Sequence, residues 1–206
     1  MVEQQASELE TARRLALQFS EAGDLVSALN CLERCADWTP ESLDIQLALG
    51  RTLQRLGNRE RALGHLQCAL ALDPQSVEVC WRLVEVLHQL KRQRPARNMA
   101  RRIVVLRPRW AVGHTLCGNL AFEEREFGDA IECYAQALAL EPANAEARCQ
   151  LGHTYFRLGR VEEAIECYRA AAAAAPADPV PHSALVYAAG FHPSWGPERI
   201  GAEASA

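Results

Sequence analysis

The chain has 206 residues, 49% of them apolar, and a formal charge of −4, so it can bury a core and does not have the composition of a disordered segment. The negative balance argues against a general nucleic-acid binder, and no run of about eighteen apolar residues offers a membrane span. The opening "MVEQQASELE" lacks the basic flank and apolar centre of a secretory leader, so a cytoplasmic location is expected, with no membrane partner.

The cysteines at 31, 35, 68, 80, 117, 133, 149 and 167 include no Cys-x-x-Cys pair, and Cys31 and Cys35 lie one helical turn apart. In a reducing compartment they read as free, packed thiols, neither a disulfide framework nor metal ligands. No metal and no cofactor are expected.

Residues 1–8 read as an N-terminal tail. From there the chain is counted out by proline: Pro40, Pro74, Pro108, Pro142 and Pro176 stand 34 residues apart, closing runs such as "ALALDP", "ALALEP" and "AAAAAP". The blocks are 9–42, 43–76, 77–110, 111–144 and 145–178. Twelve residues before each proline stands alanine (Ala28, Ala62, Ala96, Ala130, Ala164). Twenty-five before it stand Leu15, Leu49, Leu83, Cys117 and Leu151, followed by the mostly small Ala16, Gly50, Val84, Gly118 and Gly152. Five before it stand Cys35, Ala69, Ile103, Ala137 and Ala171.

Apolar residues three and four apart predict two amphipathic helices, A and B, in each block, joined near Gly23, Gly57 or Gly159, where the backbone can leave the helical region freely. The small column predicts close approach of A and B, with Phe19, Tyr134, Tyr155 and Tyr168 filling the remaining volume. The third block exchanges large for small: Val84 replaces glycine, Ala100 the aromatic, Ile103 alanine and Lys91 the turn glycine. This predicts a volume-conserving repacking with no break in the array.

Read against W-x2-L-G-x2-Y…A-x3-F…P, the fifth block supplies Leu151, Gly152, Tyr155, Ala164, Tyr168 and Pro176, with Arg148 where tryptophan would stand. With its period of 34 residues, the chain from 9 to 178 resembles the tetratricopeptide repeat (TPR) family. The resemblance implies an all-α fold: a right-handed α-solenoid of five helix-turn-helix repeats whose A helices line a concave groove. A capping helix over 179–192 and a flexible tail over 193–206 are expected after it.

The family's ligand-facing positions, the second, fifth, ninth, twelfth and thirteenth of each repeat, fall on Arg13, Asp44, Arg51, Arg55, Glu78, Trp81, Glu85, His88, Asn119, Phe122, Glu123, Glu146, His153, Phe156 and Arg157. Trp81, Phe122 and Phe156 read either as anchors for a partner or as packing between neighbouring A helices. The carboxylate clamp of chaperone-binding TPR domains is not expected, because Leu17 stands where an asparagine is needed. Nor is the asparagine ladder of O-linked N-acetylglucosamine transferases, whose positions here are Arg14, Ala48, Arg82, Leu116 and Gln150.

The stretch "KRQRPARNMARRIVVLRPRW" carries eight basic residues and no acid. With Pro95 in the first turn of a B helix, Arg94, Arg97 and Arg101 fall on one stripe. It reads first as a solvated face and second as a dock for an acidic partner, phosphate or anionic membrane. His65, His88, His114 and His153 lie in separate repeats with no nucleophile to match, so no catalytic residue is expected.

The segment "PVPHSALVYAAGFHPSWGPERI" resembles, in His182, Ser183, Leu185, Tyr187, Phe191, His192, Pro193 and Ile200, the junction that precedes the catalytic domain of bacterial SPINDLY-type, O-linked N-acetylglucosamine transferase-like proteins, with Ala184 in place of asparagine. No catalytic lobe is expected from the few residues after it. The expected function is therefore a non-enzymatic scaffold that holds a protein or peptide in its groove, with no nucleic-acid or small-molecule ligand. The alternative is the substrate-recognition arm of such a glycosyltransferase, separated from its catalytic part.

Overall fold

The computed structural model describes residues 2–192, Trp195, Gly196 and Glu198, and for residues 2–7 the backbone alone. Eleven helices and no strand run through the described residues: α1 (Val2–Glu21), α2 (Leu25–Trp38), α3 (Leu43–Arg55), α4 (Arg59–Leu72), α5 (Val77–Gln89), α6 (Gln93–Leu106), α7 (Ala111–Glu123), α8 (Phe127–Leu140), α9 (Ala145–Arg157), α10 (Val161–Ala174) and α11 (Pro179–Ala189). Helix already begins at Val2, inside the stretch expected as a tail, and α11 stops at Ala189. Of the tail expected from residue 193, Trp195 is half-buried and stacks on His192 with ring centroids 4.7 Å apart.

Helix starts are set locally. The side chains of Asp24, Ser76, Asn144 and Asp178 accept hydrogen bonds from the N–H groups of Ser27, Val79, Ala147 and Val180, satisfying donors that a first turn leaves open. Pro179 opens α11, where its missing N–H costs nothing.

The A helices end in one repeated way. Backbone φ is positive at Gly23, Gly57, Lys91, Arg125 and Gly159. At the last four, the next N–H reaches back five residues, from Asn58 to Leu53, Arg92 to Leu87, Glu126 to Ala121 and Arg160 to Tyr155, each at 2.9 Å. This Schellman closure satisfies carbonyls that the helix end would otherwise orphan. Lys91 and Arg125 hold the left-handed conformation at φ 60° and 64°, at a cost of roughly 1 kcal/mol each relative to glycine.

Where A and B cross, the small column has a measurable reason. A Cβ on Gly50 would stand 2.6 Å from Leu66, one on Gly118 2.6 Å from the Tyr134 ring, and one on Gly152 2.7 Å from the Tyr168 ring. In the third repeat Val84 and Ala100 are both buried, so the bulk has moved from helix B to helix A. The five alanines of the twelve-before column are fully buried, as are Cys35, Ala69, Ile103, Ala137 and Ala171.

The proline loops are tied down by a residue six positions on. Gln46 Nε2 donates to the Pro40 carbonyl at 2.8 Å, His114 Nε2 to that of Pro108 at 2.9 Å, and Arg148 Nη2 to that of Pro142 at 2.5 Å. Cys80 holds the equivalent place in the third repeat, and there Arg102 Nη2 reaches the Pro74 carbonyl from α6, at 2.6 Å. Gln46 Oε1 in turn accepts from His65 Nδ1 at 2.8 Å.

Contacts divide the chain into two units, one ending at Leu106 and one beginning at Arg107. In the first, α1–α2, α3–α4 and α5–α6 form hairpins, α2 packs on α3 and α4 on α5, around Leu49, Leu53, Leu66, Leu83 and Ile103. In the second, α7–α8 and α9–α10 form hairpins, α8 packs on α9 and α10 on α11, around Tyr134, Tyr168, Ile165 and Leu185.

Candidate functional site

Each unit opens a pocket between A helices at the same repeat positions. In the first unit a cavity of about 290 Å³ lies between α1 and α3, floored by Ala16, Leu32, Ile45 and Ala48 and rimmed by Arg13, Leu17, Ser20, Asp44, Arg51 and Arg55. In the second, a hollow of about 580 Å³ lies between α9 and α11, lined by His153, Phe156, Tyr168, Pro179, Val180, Ser183, Ala184 and Tyr187. A shift of four repeats maps Leu17 onto His153, Ser20 onto Phe156, Leu32 onto Tyr168, Asp44 onto Val180, Ala48 onto Ala184 and Arg51 onto Tyr187.

Their chemistry differs. The first pocket is ringed by guanidinium groups. Arg51 and Arg55 also border a polar hollow of about 490 Å³ toward α5 that adds Gln54, Arg82 and Gln89. There Glu85 is held by Gln54, by Trp81 Nε1 at 3.0 Å and by Arg82 at 3.1 Å. Beside the second pocket Phe156, Tyr187 and Phe191 form an aromatic trio with centroids 5.0–5.6 Å apart, and Tyr187 and Phe191 remain 62% and 56% exposed. The His153 ring meets Tyr168 edge-on at 5.2 Å, and burial lowers its pKa, favouring the neutral imidazole.

Of the residues singled out from the sequence, Arg13, Asp44, Arg51 and Arg55 meet in the first pocket, and His153 and Phe156 in the second. The others do not join them. Asn119 Oδ1 accepts from the buried Tyr134 hydroxyl at 2.8 Å, so its amide is engaged in supporting the seam. Phe122 packs on Phe127 at 5.6 Å, against the α7–α8 core. Trp81 and His88 are half-buried along α5 and Arg157 is exposed on α9, all outside both pockets. The basic stripe is corrected: Arg94 and Arg101 are exposed, but Arg97 is only 7% exposed, flanked along α6 by the buried Ala96 and Ala100. A helix B position that faces helix A is buried whatever its charge.

Val180 is missed from the sequence, and Tyr187 and Phe191 are read there as junction residues and not as groove positions, because the repeat register is stopped at residue 178. Carried one step further, it places Val180 at the second, Tyr187 at the ninth and Phe191 at the thirteenth position of a sixth A helix. All eight thiols are free. Burial pushes Cys149 and Cys167 up to about 11.

A family model described as tetratricopeptide repeat matches residues 47–108 and 117–179. The chain belongs to the tetratricopeptide repeat family. Among solved structures it is similar to a MamA protein (20% identity, TM-score 0.77, 82% of this chain and 92% of that one). It is also similar to YrrB, described as a TPR protein with an unusual peptide-binding site (19%, 0.74, 84% and 89%). A third is a tetratricopeptide repeat protein from Parabacteroides merdae ATCC 43184 (17%, 0.82, 96% and 77%). No protein of curated function matches the sequence.

TPR proteins bind proteins or peptides, and the fold is that of an interaction scaffold. Among the described residues no helix is long and apolar enough to cross a membrane. The TPR match ends at residue 179 and none of these descriptions names a glycosyltransferase, so nothing in them supports the resemblance of the following segment to a glycosyltransferase junction. Of its residues, Leu185 is a core residue beneath α11, Tyr187 and Phe191 belong to the aromatic trio, and Pro193 and Ile200 lie outside the described residues.

Proposed function

We propose that this TPR chain is a non-catalytic scaffold, working in the cytoplasm, whose A-helix face holds an extended peptide segment of a protein partner. The observation that carries the reading is that one set of repeat positions forms a pocket in both units. Each pocket has an apolar floor and a rim of large side chains suited to anchoring another chain. Nucleic acid and small molecules are not the ligands in this reading, and the eight thiols stay reduced in that compartment.

Selection of random peptides on the full chain tests it. Peptides should be enriched, and their affinity should fall at least about tenfold when Ala48 or Ala184 is replaced by Trp, which fills the pocket above the A–B seam. Failure to enrich any peptide, or equal binding to both Trp variants with thermal unfolding unchanged, would refute the reading.

A further inference from the structure

We propose that the pocket between α1 and α3 selects a glutamate or aspartate side chain within the bound segment, an inference that rests on the peptide-binding reading above. Three other arginines of the same unit are closely paired with acids: Arg61 with Glu33, Arg92 with Glu60 at 2.9 Å and Arg82 with Glu85 at 3.1 Å. The pocket's own arginines are not. Arg13 and Arg55 have no ion-pair partner among the described residues, and Arg51 has only Glu78 at 3.8 Å, with both side chains more than half exposed, a contact of little strength. Net positive charge, three guanidinium groups against Asp44, therefore gathers where a hollow exists to receive a side chain.

The hollow narrows the kind of anion. Its floor of Ala16, Leu32 and Ile45 receives the methylenes of an acidic side chain while its head reaches the guanidinium rim. Asp44 stands on the same rim and Glu78 beside Arg51, and both repel a phosphate dianion more than a carboxylate. A nucleic-acid backbone needs a track of cations and meets a chain of net charge −4. Leu17, 66% exposed on the rim, offers apolar contact to the residues flanking the acid and no donor to fix a chain terminus. The equivalent pocket in the second unit carries Tyr187 in place of Arg51, so the preference for an acid belongs to the first pocket alone.

The test uses the same selection, with each random peptide fused at its carboxyl end so that no free terminus is offered. The expected result is enrichment of sequences with an Asp or Glu beside apolar residues. A synthetic, amidated member should lose at least about tenfold in affinity when its acid becomes the amide, and as much against Arg55→Glu. A Lys in the acid's place should recover binding to Arg55→Glu. Arg51→Gln, at a second exposed position, serves if Arg55→Glu melts early, and Arg94→Glu on the exposed part of α6 should leave binding unchanged. Enriched peptides with no acid preference, or acid-dependent binding indifferent to both pocket variants, would overturn the inference and leave the general reading standing. So would displacement of the peptide by a single-stranded RNA 20-mer. No enrichment at all defeats both.

Discussion

The two pockets share their repeat positions and differ in most of what faces a ligand. Four repeats separate Leu32 from Tyr168, Ser20 from Phe156 and Arg51 from Tyr187, yet α1–α3 and α9–α11 leave a gap at the same positions because each A helix lies on the B helix before it. The small-residue seam sets the depth of that gap: Ala16 opposes Leu32 in one, Gly152 opposes Tyr168 in the other, and the two pairs balance bulk against room. The repeat thus builds the site, and the rim positions choose its chemistry.

The largest break in this comparison comes from the seam. Gly152→Val drives a side chain into Tyr168 and should destabilise the second unit by about 2–3 kcal/mol in chemical denaturation. Adding Tyr168→Ala reproduces the Val84–Ala100 pair of the third repeat and should recover most of the loss. If the double variant is no more stable than the single one, the exchange of bulk is not what holds the third repeat together.

Exchanging the rims comes next. Tyr187→Arg with Phe191→Arg copies Arg51 and Arg55 onto the second pocket. It should shift peptide preference toward acids by about tenfold, ~1.4 kcal/mol, with little change in melting because both positions are largely exposed. An unchanged preference, read by competition with acidic and amide peptides, would show that the rim does not choose the ligand.

The turns sharpen the comparison by giving each unit one strained position. Lys91→Gly and Arg125→Gly should each stabilise their own unit by about 1 kcal/mol in denaturant unfolding, since glycine relieves the left-handed backbone. A loss of stability at either would mean that side-chain contacts there outweigh the strain.

The smallest effect is titration. Burial lowers the His153 pKa below the ordinary histidine value of 6.5, so the unfolded chain takes up the proton first. Stability from this group is level above pH 6.5 and falls as pH drops below it, and His153→Gln should flatten that fall in the second unit. In the first pocket Leu17 holds the matching position and contributes no such slope.

Much of this was legible from spacing alone. The proline stride located the loops, and the alanine and glycine columns located the A–B seam, because a helix crossing leaves room for bulk on one helix only and that constraint recurs in each repeat. Arg125 was not legible as a turn. The eye expects glycine at positive φ, and the conformation is held by the Glu126 N–H to Ala121 carbonyl closure, which any residue permits at a cost. Asn119 and Phe122 fall on the ligand-facing positions by count, yet the Tyr134 hydroxyl and the Phe127 ring draw them into the fold. Arg97 falls on a basic stripe by count and is buried because helix B turns that side inward.

The sequence by itself determined the period, the helices and the seam, since each depends on residues within one repeat: a side-chain cap, an apolar spacing of three and four, a missing Cβ. Only the tertiary structure decided where pockets open and what lines them. A pocket needs the A helices of two successive repeats at once, and whether a rim side chain faces it, pairs with a neighbour or is drawn into the core depends on contacts between repeats that spacing does not encode.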